Sequence, residues 1–452
     1  MSGRGLFGGS ILLVAVVVPP PAGAVPKTLD RFLDPVIVTT VALGSLPDRR
    51  TAAWRLYRVG AGQVVSIPFQ FDPVDAQGDV VVDAPEQFDL KAADQLVFMA
   101  RDTGDRAPEG WWPPGGDAVV EIEAADPLRE GKGWAYLVHF PGPPPAPSAE
   151  RYVSYDPATN RARSAFYEVE YAPSRNFFTG LRILPGAGGD GRNVLQQTRM
   201  LGRPTFRLLL ADLTLRFTEQ NSIVVLDGVR TGAVRSVRRV HLSVDLGRYF
   251  PELPSGTVST YHYLSSYTTP TRMGIPWLLL KTLRSFTFEE LVQFRRDVMP
   301  MRYWDGANRD GIPGADGEER RLAIDVDHDW WVHSGEAGTM LHAFVVPPEW
   351  REWGIARGTV FRGGEEGFAA GYSLLNMTRL RRAGSHELLM ADVVLPSPYV
   401  PGDEEQAMAM LRTPIRTAVR VLAAPGNTAV GYARGPRWTG ALSSSATTRA
   451  PP

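Results

Sequence analysis

Trp134-Ala135-Tyr136-Leu137-Val138-His139-Phe140 is the stretch on which the fold reading turns. It changes sides at every residue, as does Ala118-Val119-Val120-Glu121-Ile122-Glu123 just before it. A period of two is the mark of an extended strand, whose successive side chains point to opposite faces. Upstream, Val36-Ile37-Val38-Thr39-Thr40-Val41 is β-branched, which suits a pleated, half-buried surface. Downstream, residues 206–217, 222–226, 233–244 and 388–395 read the same way. The 45 glycines and 38 prolines punctuate these runs throughout the chain. Short alternating strands separated by turn residues predict a mostly β protein built of sandwiches or barrels.

Composition suggests where the units divide. The run Pro141-Gly142-Pro143-Pro144-Pro145-Ala146-Pro147 cannot be a strand interior, because proline lacks the ladder donor. Residues 141–150 therefore read as a stiff linker or long loop between an N-terminal barrel-like module (25–140) and one or two antiparallel sandwich units (151–434). A second break falls at residues 186–191. Two short helices are expected. One spans residues 287–299, where Phe288, Leu291, Val292 and Phe294 make a partly apolar face. The other spans residues 403–411, opened by Asp403, Glu404 and Glu405. Residues 435–452, rich in Ser, Thr, Pro and Ala, read as a disordered tail.

The first residues have the three parts of a secretory signal. Arg4 supplies the charge, an apolar run of about 13 residues follows, and Ala22-Gly23-Ala24 ends it. The apolar run is shorter than the ~20 residues a membrane span needs. Cleavage before Val25 and a periplasmic or secreted location are the expectation, with no membrane span in what remains. A net charge of -1 argues against a nucleic-acid partner, which would need a basic surface. Zero cysteines remove disulfides, thiolate metal sites, covalent haem attachment and cysteine nucleophiles together. No glycine-rich phosphate loop follows a strand and opens a helix, so no nucleotide is expected.

Ile67-Pro68-Phe69-Gln70-Phe71-Asp72, followed by Ala93-Asp94-Gln95-Leu96-Val97-Phe98-Met99, resembles the N-terminal β-barrel module of secreted exo-rhamnogalacturonan lyase-like proteins and related exported bacterial proteins. Gln95 stands where that pattern usually has an acid. The resemblance covers about residues 34–105. It implies a β-barrel-like module beside carbohydrate-active domains and transfers no catalytic residue. Read physically, Ile67, Phe69 and Phe71 share one face of a strand, leaving Gln70 and Asp72 to satisfy a neighbouring loop backbone.

Three groups of residues could carry chemistry. In residues 304–319, Asn308, Asp310, Asp316 and Glu318 gather oxygens among glycines, as a calcium site or as a polar hairpin tip. Asp325, Asp327 and Asp329 alternate, so in a strand they would share one face, either solvated, sharing an ion with the preceding loop, or acting as acid and base on a glycosidic bond. Trp111-Trp112 and Trp330-Trp331 are either a platform for sugar rings or core. His328, His333 and His342 match no zinc spacing, though His328 and His342 could meet across a hairpin. The first expectation is a non-catalytic exported protein that binds a polysaccharide or an envelope protein. A carbohydrate-active lyase or hydrolase with an acidic site is the alternative, and an accessory subunit of an envelope complex is a third.

Overall fold

The computed structural model describes residues 23–173, 178–208, 211–245, 253–275, 277–314, 325–364, 367–422 and 432–433. It is mostly β, with three α-helices among the described residues. None of its helices is long and apolar enough to cross a membrane.

The N-terminal module is two antiparallel sheets over one core. Pro35–Thr39, Gln95–Met99 and Gln70–Asp72 form the smaller. The larger is six-stranded and contains Ala118–Ala125 and Lys132–His139, the two stretches with the clearest alternation. Val36, Val38, Leu96 and Phe98 from the first sheet pack on Leu56, Ile122, Ala135 and Leu137 from the second. The module is not closed at residue 140, however. Arg416–Leu422 returns from the far end of the chain to pair with Ala118–Ala125. The unit expected to span residues 151–434 thus gives its last strands to the first module. Sequence order does not show this, because a strand's partner is set by register and burial rather than by chain proximity.

The second module faces a six-stranded sheet (including Leu195–Leu208, Leu283–Phe294, Gly367–Leu375 and Ala356–Gly364) against a nine-stranded one. Ser266–Ile275, Gly384–Leu395, Gly338–Val345, Trp330–Gly335 and Met301–Asp305 are successive neighbours in the larger sheet. Phe294, Phe361, Phe368 and Tyr372 from one sheet share a core with Tyr267, Tyr303, Trp331 and Met340 from the other. A four-stranded sheet packs its Tyr167, Val169 and Leu181 into the same core. The opposite face of the nine-stranded sheet is covered by the helix Glu404–Arg412, through Ala407, Met408 and Met410. That helix matches the expected one at residues 403–411.

The expected helix at residues 287–299 is instead the strand Leu283–Phe294. Its Glu290 and Val292 face the interior, while Leu291 is buried on the other side. A strand covered on both faces loses its period of two, and the apolar pattern that remains mimics a helix stripe.

A buried polar latch joins the modules. Gln70 Oε1 accepts hydrogen bonds from the backbone N–H groups of Val234 and Arg235, both at 2.9 Å. Its amide donates to Asp72. Asp72, fully buried, takes the guanidinium of Arg235 at 2.8 Å and that of Arg230 at 3.1 Å. Arg235 also reaches Gln95 and Tyr263. Gly232 makes room, since a Cβ there would lie 2.1 Å from Gln70 Oε1. Gln70 thus serves a loop backbone as expected, and Asp72 holds two arginines of the second module.

Candidate functional site

Cross-strand register builds the site. Tyr267, Asp392, His342, Trp331 and Asp305 stand opposite one another in five successive strands of the nine-stranded sheet. In the facing sheet, Met200, Glu290, Tyr372 and Thr359 form a second row. The rows meet at one end, where the Thr359 hydroxyl donates to Asp305 at 2.9 Å. Between them lies a cavity of about 70 Å³ bordered by Glu290, Tyr372, Trp331, His342, Asp392 and Tyr267. By the space one water needs, that is room on the order of five waters or one small ring.

Polar groups in its wall are poorly satisfied by the protein. The Tyr372 hydroxyl, the Trp331 indole N–H and the Thr198 hydroxyl belong to lining residues and have no hydrogen-bond partner. The Tyr267 hydroxyl stands beside Asp392, whose charge adds to the burial that raises it. Buried polar atoms are almost always paired, by protein, water or ligand. Burial holds both tyrosines far above their ordinary pKa, so each keeps its proton and presents a donor.

Two acids and two histidines supply the titratable chemistry. Burial, reinforced by the charge of Asp392, pushes Glu290 up to about 7. No described residue donates it a hydrogen bond. It keeps some accessible surface, and it lines the cavity. Gly371 fits tightly against its backbone, where a Cβ would come within 1.9 Å of the Glu290 carbonyl oxygen. His342 lies flat on Trp331, with ring centroids 3.9 Å apart, and its Nδ1 faces Asp392 in a short contact. A carboxylate only accepts, so His342 Nδ1 carries the hydrogen. Its Nε2 is 2.9 Å from His333 Nδ1. Burial and the neighbouring His342 hold His333 well below the ordinary histidine range, so His333 is neutral. At the cavity's flank, His262 is pressed down to about 3 by burial and by Arg238, and shares a hydrogen bond with the Tyr171 hydroxyl at 2.8 Å.

Of the residues singled out from sequence, Trp331 and His342 line the cavity, and the others fall elsewhere. The segment holding Asp325, Asp327 and Asp329 is not a strand; regular pairing begins at Trp330. Asp325 is buried and accepts from the N–H groups of Asp327 and His328 at 3.0 and 3.2 Å. Asp329 is buried between Arg351 and Arg412. Asp327 is exposed. Each buried acid is committed to a partner, and the three share no face. Asn308 spends its amide on Asp305 at 2.7 Å, and Asp310 is exposed. Asp316 and Glu318 lie outside the described residues. Among the described residues, no three acids or histidines are grouped to hold a metal ion. His328 pairs with Asp325, not with His342.

Trp331 lines the cavity beside His342. Trp330 points to the opposite face, into the core beneath the Glu404–Arg412 helix. Trp111 packs on Tyr136 at 4.9 Å, and Trp112 donates to the Gly116 carbonyl at 2.8 Å, both in the N-terminal module. Glu290 and Asp392 were not singled out from sequence. A signal was present in each: a lone acid inside an apolar run, Leu388-Leu389-Met390-Ala391-Asp392-Val393-Val394-Leu395, and a lone inward acid beside Leu291 and Val292. An acid costs too much on a buried face to sit there without a partner or a task.

Fold and site together define a two-module β protein with an acid-lined cavity between two sheets. The sequence matches no protein-family model and no curated protein. Among solved structures it resembles an alpha-mannosidase from Enterococcus faecalis V583, at 9% identity and a TM-score of 0.46, over 91% of this chain and 47% of that one. It also resembles a protein in the glycosyl hydrolase family 38 from Enterococcus faecalis, at 9% identity and a TM-score of 0.44, over 92% and 49% of the two chains. The chain therefore spans about half the length of each.

Proposed function

We propose that this protein is carbohydrate-active and works on one sugar residue held in the inter-sheet cavity. The observation that carries the reading is the wall itself. Unpartnered hydroxyl and indole groups and two carboxylates converge there on a space lined by aromatic rings. A sugar offers hydroxyls that donate and accept, and C–H faces that lie on rings, which is what this wall lacks and can hold. Glu290, poised near 7, is the proton donor. Asp392 is the proton acceptor, oriented by the Nδ1–H of His342, whose Nε2 is held by His333. Both a hydrolase and a lyase need such a pair. The resemblance of residues 34–105 to the leading module of exo-rhamnogalacturonan lyase-like proteins points the same way.

The test is a panel of oligosaccharides offered to the full chain, read for binding and for released reducing or unsaturated ends. Glu290→Gln is expected to lower turnover by about 10²–10⁴-fold while leaving sugar binding measurable. Binding without product in the parent protein would favour the non-catalytic glycan-binding reading. Absence of any sugar binding would sink both.

Export remains part of the proposal and rests on residues 1–24. Among the described residues, Val25 is the first to pair with the module, bridging Arg106. Mass spectrometry of the protein recovered from expressing cells is expected to find Val25 as its N-terminus in the periplasmic or culture fraction. An intact Met1 start confined to the cytosol would refute it.

A further inference from the structure

The walls of the cavity also constrain which sugars it takes, and this inference rests on the sugar-site reading above. We infer that the cavity selects a ligand bearing a protonated amine, an amino sugar with its amino group free, over N-acetylated sugars and uronic acids. Glu290 and Asp392 line the space, and no lysine or arginine does. Two guanidiniums come nearest and lie against rings of the wall: Arg357 over Tyr372 at 5.3 Å and Arg238 over Tyr171 at 4.1 Å. Arg357 also faces Asp329 at 3.7 Å. The charge that Glu290 feels is that of Asp392, of like sign.

A uronate entering here would be a third negative charge in a buried space without a lining cation. An ammonium would instead relieve the repulsion between the two acids. The rings favour the same choice, since aromatic faces attract cations, most strongly where water is excluded. Tyr267 borders the space, as do Tyr171, Tyr372 and Trp331, each of which already has a partner on its ring: Arg238, Arg357 and His342 respectively. N-acetylation removes the charge and adds bulk to a cavity of about 70 Å³.

The titratable groups that line the space with Glu290 are Asp392, His342, Tyr171, Tyr267 and Tyr372, and all three tyrosines stay protonated. Proton and ammonium therefore compete at Glu290: cation affinity rises with pH, while the proton transfer assigned to Glu290 needs its protonated form and falls as pH rises. Between pH 6 and pH 8 the rise is about tenfold, because a group titrating near 7 is about one-tenth ionised at the lower value and nine-tenths at the higher.

The experiment is calorimetric titration of the full chain with four probes: a glucosamine oligosaccharide, its N-acetylated form, a uronic acid oligosaccharide, and tetramethylammonium, whose charge does not titrate. The free-amine sugar is expected to bind at least tenfold more tightly than the N-acetylated one, with no uronate binding. Tetramethylammonium affinity should rise about tenfold from pH 6 to pH 8, and Glu290→Gln should abolish that rise. Equal or tighter binding of the N-acetylated or uronic form would overturn the amine inference and leave the sugar reading standing. Tetramethylammonium binding with no sugar binding of any kind would do the reverse. Silence from all four probes would remove both.

Discussion

Replacing Glu290 by glutamine is expected to stabilise the folded protein by about 1–3 kcal/mol at pH 8, and by close to nothing below about pH 4.5. The sign follows from the direction of the shift. Glu290 titrates near 7 in the folded chain against an ordinary 4.5. Where the unfolded chain has lost this proton and the folded chain still holds it, folding binds a proton. The stability attached to keeping the acid neutral is thus present at low pH and disappears as pH climbs through about 7. Above 7 the folded protein carries a buried carboxylate beside Asp392, and the amide variant escapes that cost. The range stays below the full linkage value because Glu290 keeps part of its surface accessible. Urea titrations at pH 4, 6 and 8 measure the effect. Equal stability of the two proteins at pH 8 would show that the carboxyl is not under strain there. A substitution that stabilises the fold while removing turnover is the pattern expected when an ionisable group is kept for its chemistry.

The largest loss of stability is expected at the latch between the modules. Asp72→Asn keeps the shape and removes the charge, leaving the fully buried Arg235 and the nearly buried Arg230 without their carboxylate. Breaking a buried pair by removing one partner costs about 3–5 kcal/mol, because the other charge stays desolvated. Adding Arg235→Met to Asp72→Asn should return more than half of the loss, since the stranded cation goes with it. Denaturant unfolding of the single and double variants gives the coupling directly. Additive losses in the double variant would mean that Arg235 finds another partner and that the pair does not hold the modules together.

The alternation of residues 118–123 and 134–140, the β-branched run at 36–41 and the even scatter of glycine and proline were sufficient to read the chain as β-rich. So was the role of Gln70, because a polar residue between inward phenylalanines must find a backbone partner nearby. Where a strand is buried on both faces, as at Leu283–Phe294, the pattern misled. Local signals also overvalued Asp325 and Asp329, whose carboxylates cap a loop and bind arginines. The cavity could not be read from spacing at all. Glu290 and Asp392 are some hundred residues apart in the chain. They share one space because strand register lines up one row of side chains in each sheet and packing turns the rows to face each other. Sequence determines which face of a strand a residue occupies, since the pleat has a period of two. Which strands become neighbours, and which face meets which, depends on long-range pairing and core burial, and only the tertiary structure decides that.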